Sequence, residues 1–203
     1  MHYFWLLMKK YPPEYWNASY KEGKTGWDIG YVSTPLKEYF DQLTDKSIKI
    51  LVPGAGNGWE VEHLFKNGFV NIFMLDFSEE ATSSFKRRFP SFPDNQIIHE
   101  DFFKHDGDYD LIVEQTFFSS LPRAFRPGYA EKVFQLLKPG GKMVGLLFNH
   151  EFPFDNPPFG GSPEEYESLF KPWFEFVHFD IARNSIKPRS GREHFLLFKK
   201  KAF

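Results

Sequence analysis

Seven short apolar runs separated by helical patterns constrain this chain more than any other feature. The runs are IKILV (48–52), VNIFML (70–75), QIIH (96–99), DLIVE (110–114), KMVGLLF (142–148), FEFVHFDI (174–181) and EHFLLFK (193–199). Each has the length of a strand and falls short of a helix that buries a face. Helical patterns near 35–43, 58–67, 79–88, 127–137 and 163–171 lie between them. The first five strands thus alternate with helices, as a parallel, doubly wound sheet requires. The link from the sixth run to the seventh, ARNSIKPRSGR, has no helical period and contains Pro188 and Gly191. A helix-free link joins antiparallel strands, so the expected fold is α/β: a seven-stranded, mostly parallel sheet with its last strand antiparallel and helices on both faces.

The first run ends in a turn with three alternate glycines, Gly54, Gly56 and Gly58, and the second ends at Asp76. A glycine-rich turn between strand and helix lets a ligand approach bare backbone and the free N–H groups of the helix start. A dinucleotide fingerprint needs a third glycine where Trp59 stands, and a phosphate-binding Walker loop needs a Gly-Lys-Ser/Thr run that the chain lacks. What remains is a ligand with a ribose and no pyrophosphate, its hydroxyls donating to Asp76. Asp101 and Phe102 follow the third strand, and Glu114, Gln115 and Thr116 end the fourth. In open α/β sheets ligands bind outside the carboxyl ends of the strands. Asp101 there suits an adenine amino group, and Phe102 suits a base stacked on its ring.

Composition narrows the partners. The 203 residues carry a net charge of -2, so no basic field invites nucleic acid, and no Asp/Asn-Pro-Pro-Tyr/Phe follows the fourth strand, where the chain reads EQTF. With no cysteine, disulfides, a thiolate nucleophile and zinc-thiolate sites are excluded. No His, Asp and Glu spacing fits a metal, and none is expected. No run is long enough to span a membrane, and the apolar start MHYFWLLM is followed by Lys9 and Lys10 rather than preceded by charge, unlike a signal peptide. A cytoplasmic protein, monomeric or weakly homo-oligomeric, is expected, with the first seven residues dispensable. No repeat, linker or low-complexity tract divides the chain, so residues 1–203 form one domain.

The segments YWNASYKEGKTGWDIGYVSTPL, LVPGAGNGWEV, LDFSEEA, DLIVEQTFF, LLKPGGKMV, NPPFGGSPEEYESLF and PRSGREHF follow one another here as in one family. Over roughly residues 13 to 200 the chain resembles the S-adenosylmethionine-dependent thiopurine methyltransferase superfamily, and most of all its plant-type thiol and halide methyltransferase branch. The resemblance implies a Rossmann-like class I methyltransferase fold, S-adenosylmethionine as cofactor, and methyl transfer to a small soft acceptor such as a thiol, hydrosulfide or halide. It implies that Trp16, Tyr20 and Trp27 close over the cofactor, with Trp27 near the transferred methyl. Gly54 and Gly56 line the turn, Asp76 with Phe77 beside it takes the ribose, Asp101 and Phe102 meet the adenine, and Gln115 and Thr116 lie beneath. Arg126 stands beside the substrate and attracts its anion, and Phe117, Phe118, Phe154 and Phe159 with Trp27 form a dry acceptor pocket. The chain departs from the branch at Ala55, where cysteine is usual, and at Gln115, where an aromatic is frequent. Pro12, Pro13, Gly23, Gly26 and Gly30 flank the three large aromatics, so the segment before residue 30 is expected to act as a lid. A thiopurine, a metalloid compound or another small acceptor, and noncatalytic cofactor binding, remain as alternatives.

Overall fold

The computed structural model describes residues 11–202; the expectation about the first seven residues lies outside them. Helix α1 (Pro13–Lys21) and helix α2 (Thr34–Asp41) precede strand β1 (Ile50–Pro53). There follow α3 (Trp59–Lys66), β2 (Ile72–Asp76), α4 (Glu79–Arg88), β3 (Ile97–His99) and β4 (Tyr109–Gln115). The short α5 (Phe117–Ser120), then α6 (Arg126–Leu136), β5 (Leu137–Phe148), α7 (Pro163–Phe170), β6 (Phe174–Ile181) and β7 (Glu193–Lys200) complete the described chain.

All seven expected strands form one sheet in the order β3-β2-β1-β4-β5-β7-β6. The β1–β2, β1–β4, β2–β3 and β4–β5 pairs are parallel, and β7 runs antiparallel between β5 and β6. The order reverses between β1 and β4, which opens a crevice at the carboxyl ends of those strands. Strand alternation divides the core in two. Leu51 and Ile112 face one side with Tyr129 and Val133 of α6 and Phe170 of α7, while Ile50, Val52 and Leu111 face the other with Leu36 of α2, Leu64 of α3 and Phe85 of α4. Much of the large phenylalanine content fills these two layers, and rings such as Phe176 and Phe198, stacked at 3.9 Å between centroids, knit β6 to β7. Among the described residues no helix is long and apolar enough to cross a membrane.

Gly58 caps α3 in a left-handed conformation, φ +67°. A Cβ placed on it would lie 2.5 Å and 2.7 Å from two ring carbons of the fully buried Phe85. A left-handed non-glycine residue costs about 1–2 kcal/mol and an overpacked core about 1–3 kcal/mol. Gly58→Ala is therefore expected to destabilise the fold by about 2–5 kcal/mol, read as a lower urea midpoint at unchanged slope; an unaltered midpoint would contradict this packing.

Candidate active site

Beyond β1 the chain turns through Gly54, Gly56 and Gly58, with φ of +56°, +55° and +67°. Few side chains tolerate that region, and here space forbids them too. A Cβ on Gly54 would fall within the Phe117 ring, and one on Gly56 would sit 2.5 Å from the Tyr20 hydroxyl. The turn is fixed from below by Asp76, the last residue of β2. One carboxylate oxygen, Oδ2, accepts the Gly56 N–H at 2.9 Å, and the other, Oδ1, accepts the Ser78 N–H at 2.9 Å. Asp76 is buried, and burial pushes its carboxyl above the ordinary carboxylate range while these backbone N–H groups oppose the shift.

The start of α4 carries the connection outward. Ser78 accepts the Ala81 N–H at 3.2 Å as a helix cap and donates its hydroxyl to Asn17 Oδ1 at 2.7 Å, while the Glu80 N–H reaches the same Asn17 oxygen at 3.2 Å. Asn17 thereby lays α1 across the crevice. Trp27 meets Trp16 and Tyr20 edge-on, at 5.4 Å and 5.8 Å between ring centroids. Asp28 binds the Trp59 indole N–H at 2.7 Å and the Asn57 amide, and the Trp27 carbonyl accepts from Arg189 at 2.6 Å. Burial and the neighbouring Asp76 push the Tyr20 hydroxyl far above its ordinary pKa, so it remains a proton donor.

These elements enclose a cavity of about 440 Å³. Trp16, Tyr20, Trp27, Gly54, Asp76, Phe77, Asp101, Phe102 and Thr116, which the sequence assigns to the cofactor, all line it, together with Phe117, which the sequence assigns to the acceptor pocket. The residues suit S-adenosylmethionine. The glycine turn offers bare backbone, and Asp76, which accepts the Gly56 and Ser78 N–H groups with the Phe77 N–H also turned towards it, keeps acceptor capacity that suits a ribose hydroxyl. Leu75, Phe102, Phe103 and Leu121 supply apolar wall for an adenine, with Asp101 beside them.

Other expectations require correction. Arg126 does not reach the cavity. It is buried, with its guanidinium bound to Glu165 at 2.7 Å and to the carbonyls of Gly160 at 2.9 Å and Phe159 at 3.2 Å, and it lies over the Phe118 ring. It clamps the loop after β5 through both terminal nitrogens, and its Nε–H, the one donor nitrogen left over, is buried away from the cavity. Phe118 belongs to the core, packed on Tyr129, Tyr166 and Phe170. Phe154 is exposed and stacks on Phe152, and Phe159 is tied to the Ser119 carbonyl through its N–H. Neither lines the cavity, and nor do Gln115 and Gly56, although the Gly56 backbone supports its floor. Local sequence gave no sign of Tyr11 or Lys104 on the wall, whereas His99, which ends β3, was within reach as a strand-end residue. Pro157 and Pro158 were within reach, since a Pro-Pro pair is a rigid element placed in the loop after β5, where sheet geometry gathers ligand contacts.

A second cavity, about 540 Å³, lies on the far side of Trp27, Pro157 and Pro158, which line both. Lys24, His150, Arg189 and Arg192 border it, against the single carboxylate of Glu22, which pairs with Lys24 at 2.6 Å. Burial and the adjacent Arg192 push the His150 pKa down, and Arg192 approaches its Nε2 at 2.7 Å. Among the described residues no group of three His, Asp or Glu is placed to hold a metal ion.

Comparison with known proteins agrees with this geometry. The model of the thiopurine S-methyltransferase family matches residues 11–195. A probable thiol methyltransferase 2 of Arabidopsis thaliana is 29% identical over 203 residues, covering 97% of this chain and 89% of its own length. Thiocyanate methyltransferase 1 of Brassica oleracea is 28% identical over 191 residues, covering 91% of this chain and 84% of its own. Among solved structures, the 1,6-didemethyltoxoflavin-N1-methyltransferase of Burkholderia thailandensis, crystallised with S-adenosylhomocysteine, superposes with a TM-score of 0.75 at 15% identity, covering 99% of this chain and 90% of that one. At that identity the likeness concerns the fold.

Asp76→Asn is expected to weaken S-adenosylhomocysteine binding by roughly ten- to a hundredfold, from about 1.5–3 kcal/mol of lost charge-assisted hydrogen bonding. It should also lower the melting temperature, because an amide NH2 must face the N–H of Gly56 or of Ser78. Calorimetric affinity equal to wild type would refute the ribose role.

Proposed function

This chain belongs to the thiopurine S-methyltransferase family and is an S-adenosylmethionine-dependent methyltransferase, and from that membership we propose that its acceptor is a small soft nucleophile, a thiol, hydrosulfide or halide, that reacts as an anion. The cofactor supplies a methyl group on positively charged sulfur, an electrophile that such an anion attacks in line without a general base. What is asked of the protein is placement, for which effective molarities are worth up to about 7–11 kcal/mol.

One observation carries this reading: an aromatic cofactor cavity and a basic second cavity share the wall of Trp27, Pro157 and Pro158. Asp76 and the glycine turn hold the cofactor in the first. In the second, Arg192 and Lys24 attract the anion, the role that Arg126 cannot fill. Arg189, bound to the Trp27 carbonyl, fixes the Trp27 backbone at the edge where the two cavities meet, and the indole there excludes water from the site of transfer. Relatives named for thiol and thiocyanate methylation support the same acceptor class.

Wild-type protein should methylate sulfide, a thiophenol and iodide, and inertness towards all three would remove this reading. Trp27→Ala opens the shared wall, so turnover should fall about tenfold or more at every pH. Arg192→Gln removes a positive charge that draws the anion and lowers the thiol's pKa, so the KM for thiols should rise several-fold, and rise least well above a free thiol's pKa of about 8.5, where thiolate forms unaided. A KM unchanged across pH in Arg192→Gln would dissociate the second cavity from the acceptor.

We also propose that residues 13–30 act as a lid on the cofactor. α1 has no buried residue of its own and is held by Asn17, Tyr20 and edge-on ring contacts, a set of attachments that a bound ligand would complete. Amide exchange in this stretch should slow several-fold on addition of S-adenosylhomocysteine; equal exchange with and without it would exclude the lid.

A further inference from the structure

Glu114 is the most thoroughly buried carboxylate that the cofactor and acceptor readings leave without a role. It stands at the penultimate position of β4, with none of its surface exposed. Opposite it on β5 is Gly145, where a Cβ would collide with the Glu114 side chain and backbone; the glycine leaves room for the carboxylate. Every partner of that carboxylate is a donor. Oε1 accepts the Phe118 N–H at 2.9 Å, the Phe117 N–H also turns towards the carboxylate, and Oε2 accepts the hydroxyl of Tyr129 on α6.

The elements so joined form the floor of the cofactor cavity. Between Glu114 and α5 the backbone passes through Thr116 at φ +62°, the one non-glycine residue with positive φ among the described residues. Such a conformation costs about 1–3 kcal/mol and persists when its surroundings over-determine it. Thr116, Phe117, Ser119 and Ser120 all face the cavity, and Phe117 is the ring on which Gly54 rests. We propose that Glu114 is a positioning residue: its carboxylate holds the start of α5 against Tyr129 and thereby fixes Phe117 beneath the glycine turn, so that cofactor affinity follows the charge on this one side chain.

Protonation would set a second O–H against the Tyr129 hydroxyl, so that whichever of the two donates to the other, one is left without an acceptor, and a buried O–H without an acceptor costs about 1–3 kcal/mol. Burial pushes the Glu114 pKa up to about 7, with the Tyr129 hydroxyl and the Phe118 and Phe117 N–H groups opposing it. The change of charge therefore falls near neutral pH. The groups facing Glu114 are few: α5 presents backbone N–H, β5 presents Gly145, and α6 presents Tyr129, itself held protonated by burial and by Glu114. Arg126 of α6, paired with Glu165, and Tyr166 of α7 pack against the Phe118 ring.

The test is the affinity for S-adenosylhomocysteine by calorimetry between about pH 5.5 and 8.5, which depends on the cofactor cavity and not on the proposed acceptor. Wild-type affinity should be highest above neutral pH and fall by up to tenfold per pH unit below an inflection near 7. Glu114→Gln carries N–H donors at every pH and should hold the weak, acid-side affinity throughout. Tyr129→Phe removes a bond that favours the charged form, so its inflection should move to higher pH, an effect that a merely structural loss would not produce. Asp76, whose carboxyl burial also pushes up, and His99, whose Nε2 lies 3.0 Å from the Phe77 carbonyl, are other ionisable groups on the same cavity. An inflection that survives in Glu114→Gln would assign the pH dependence there and overturn the proposal, as would a flat wild-type profile. Should Glu114→Gln fail to fold, an unshifted inflection in Tyr129→Phe overturns it equally.

Discussion

A buried carboxylate satisfied by backbone N–H groups, with no lysine or arginine paired to it among the described residues, holds the ligand-binding half of this molecule together. Removing an anion from water is costly unless hydrogen bonds replace those it loses. Asp76 draws its replacements from two segments that would otherwise be independent: the turn after β1, through Gly56, and the start of α4, through Ser78. Ser78 in turn binds Asn17 of α1. One side chain thereby sets the separation between the glycine turn, the acidic end of β2 and the helix that covers them both. The cavity is what remains between three elements held at that separation.

The strands were legible because each is a short apolar run whose neighbours break the pattern, and because parallel strands buried on both faces admit little else. β5 is the exception at its start: it begins at Leu137 and carries Pro139, Gly140 and Gly141 into the sheet, where composition reads as a turn. A register shift against β4 near Tyr109 and Leu111 absorbs the irregularity. α1 was not legible as a helix. Its sequence, PEYWNASYK, is short, and none of its residues is fully buried against the core; tertiary hydrogen bonds and ring contacts hold it, and none of these has a local signature. α5, at four residues, is shorter than any helical period can reveal.

Within the site, residues at strand ends were legible for a geometrical reason. An open α/β sheet brings the carboxyl ends of its strands together whatever lies between them, so Gly54, Asp76, Asp101 and Thr116 were bound to meet. Residues on loops and helices carry no such guarantee, and the phenylalanines show it: Phe117 faces the cavity while Phe118, the next residue, lies in the core. Arg126 is more instructive. With Tyr129, Ala130 and Val133 it forms a buried stripe on α6 at spacings of three, four and seven, a helical period that places an arginine among core residues. Weighing that period against the charge would have directed the guanidinium inward.

An inward arginine must find partners, and the partners it finds divide the molecule by function. Glu165 and the carbonyls of Phe159 and Gly160 all belong to the stretch between β5 and α7, so Arg126 secures the loop that brings Pro157 and Pro158 to the wall between the two cavities. Arg123 reinforces it, reaching Glu151 and Glu165 in the same stretch. On the reading proposed here the cofactor is held from the other side, by the ends of β1 to β4. On that reading, cofactor binding and acceptor choice are thus encoded in different parts of the sheet, and Trp27, on the wall that both cavities share, is where they meet. Substitutions in the loop after β5 can then reshape the acceptor cavity without disturbing Asp76 and the glycine turn, because the clamp that fixes the loop and the carboxylate that fixes the turn have no partner in common.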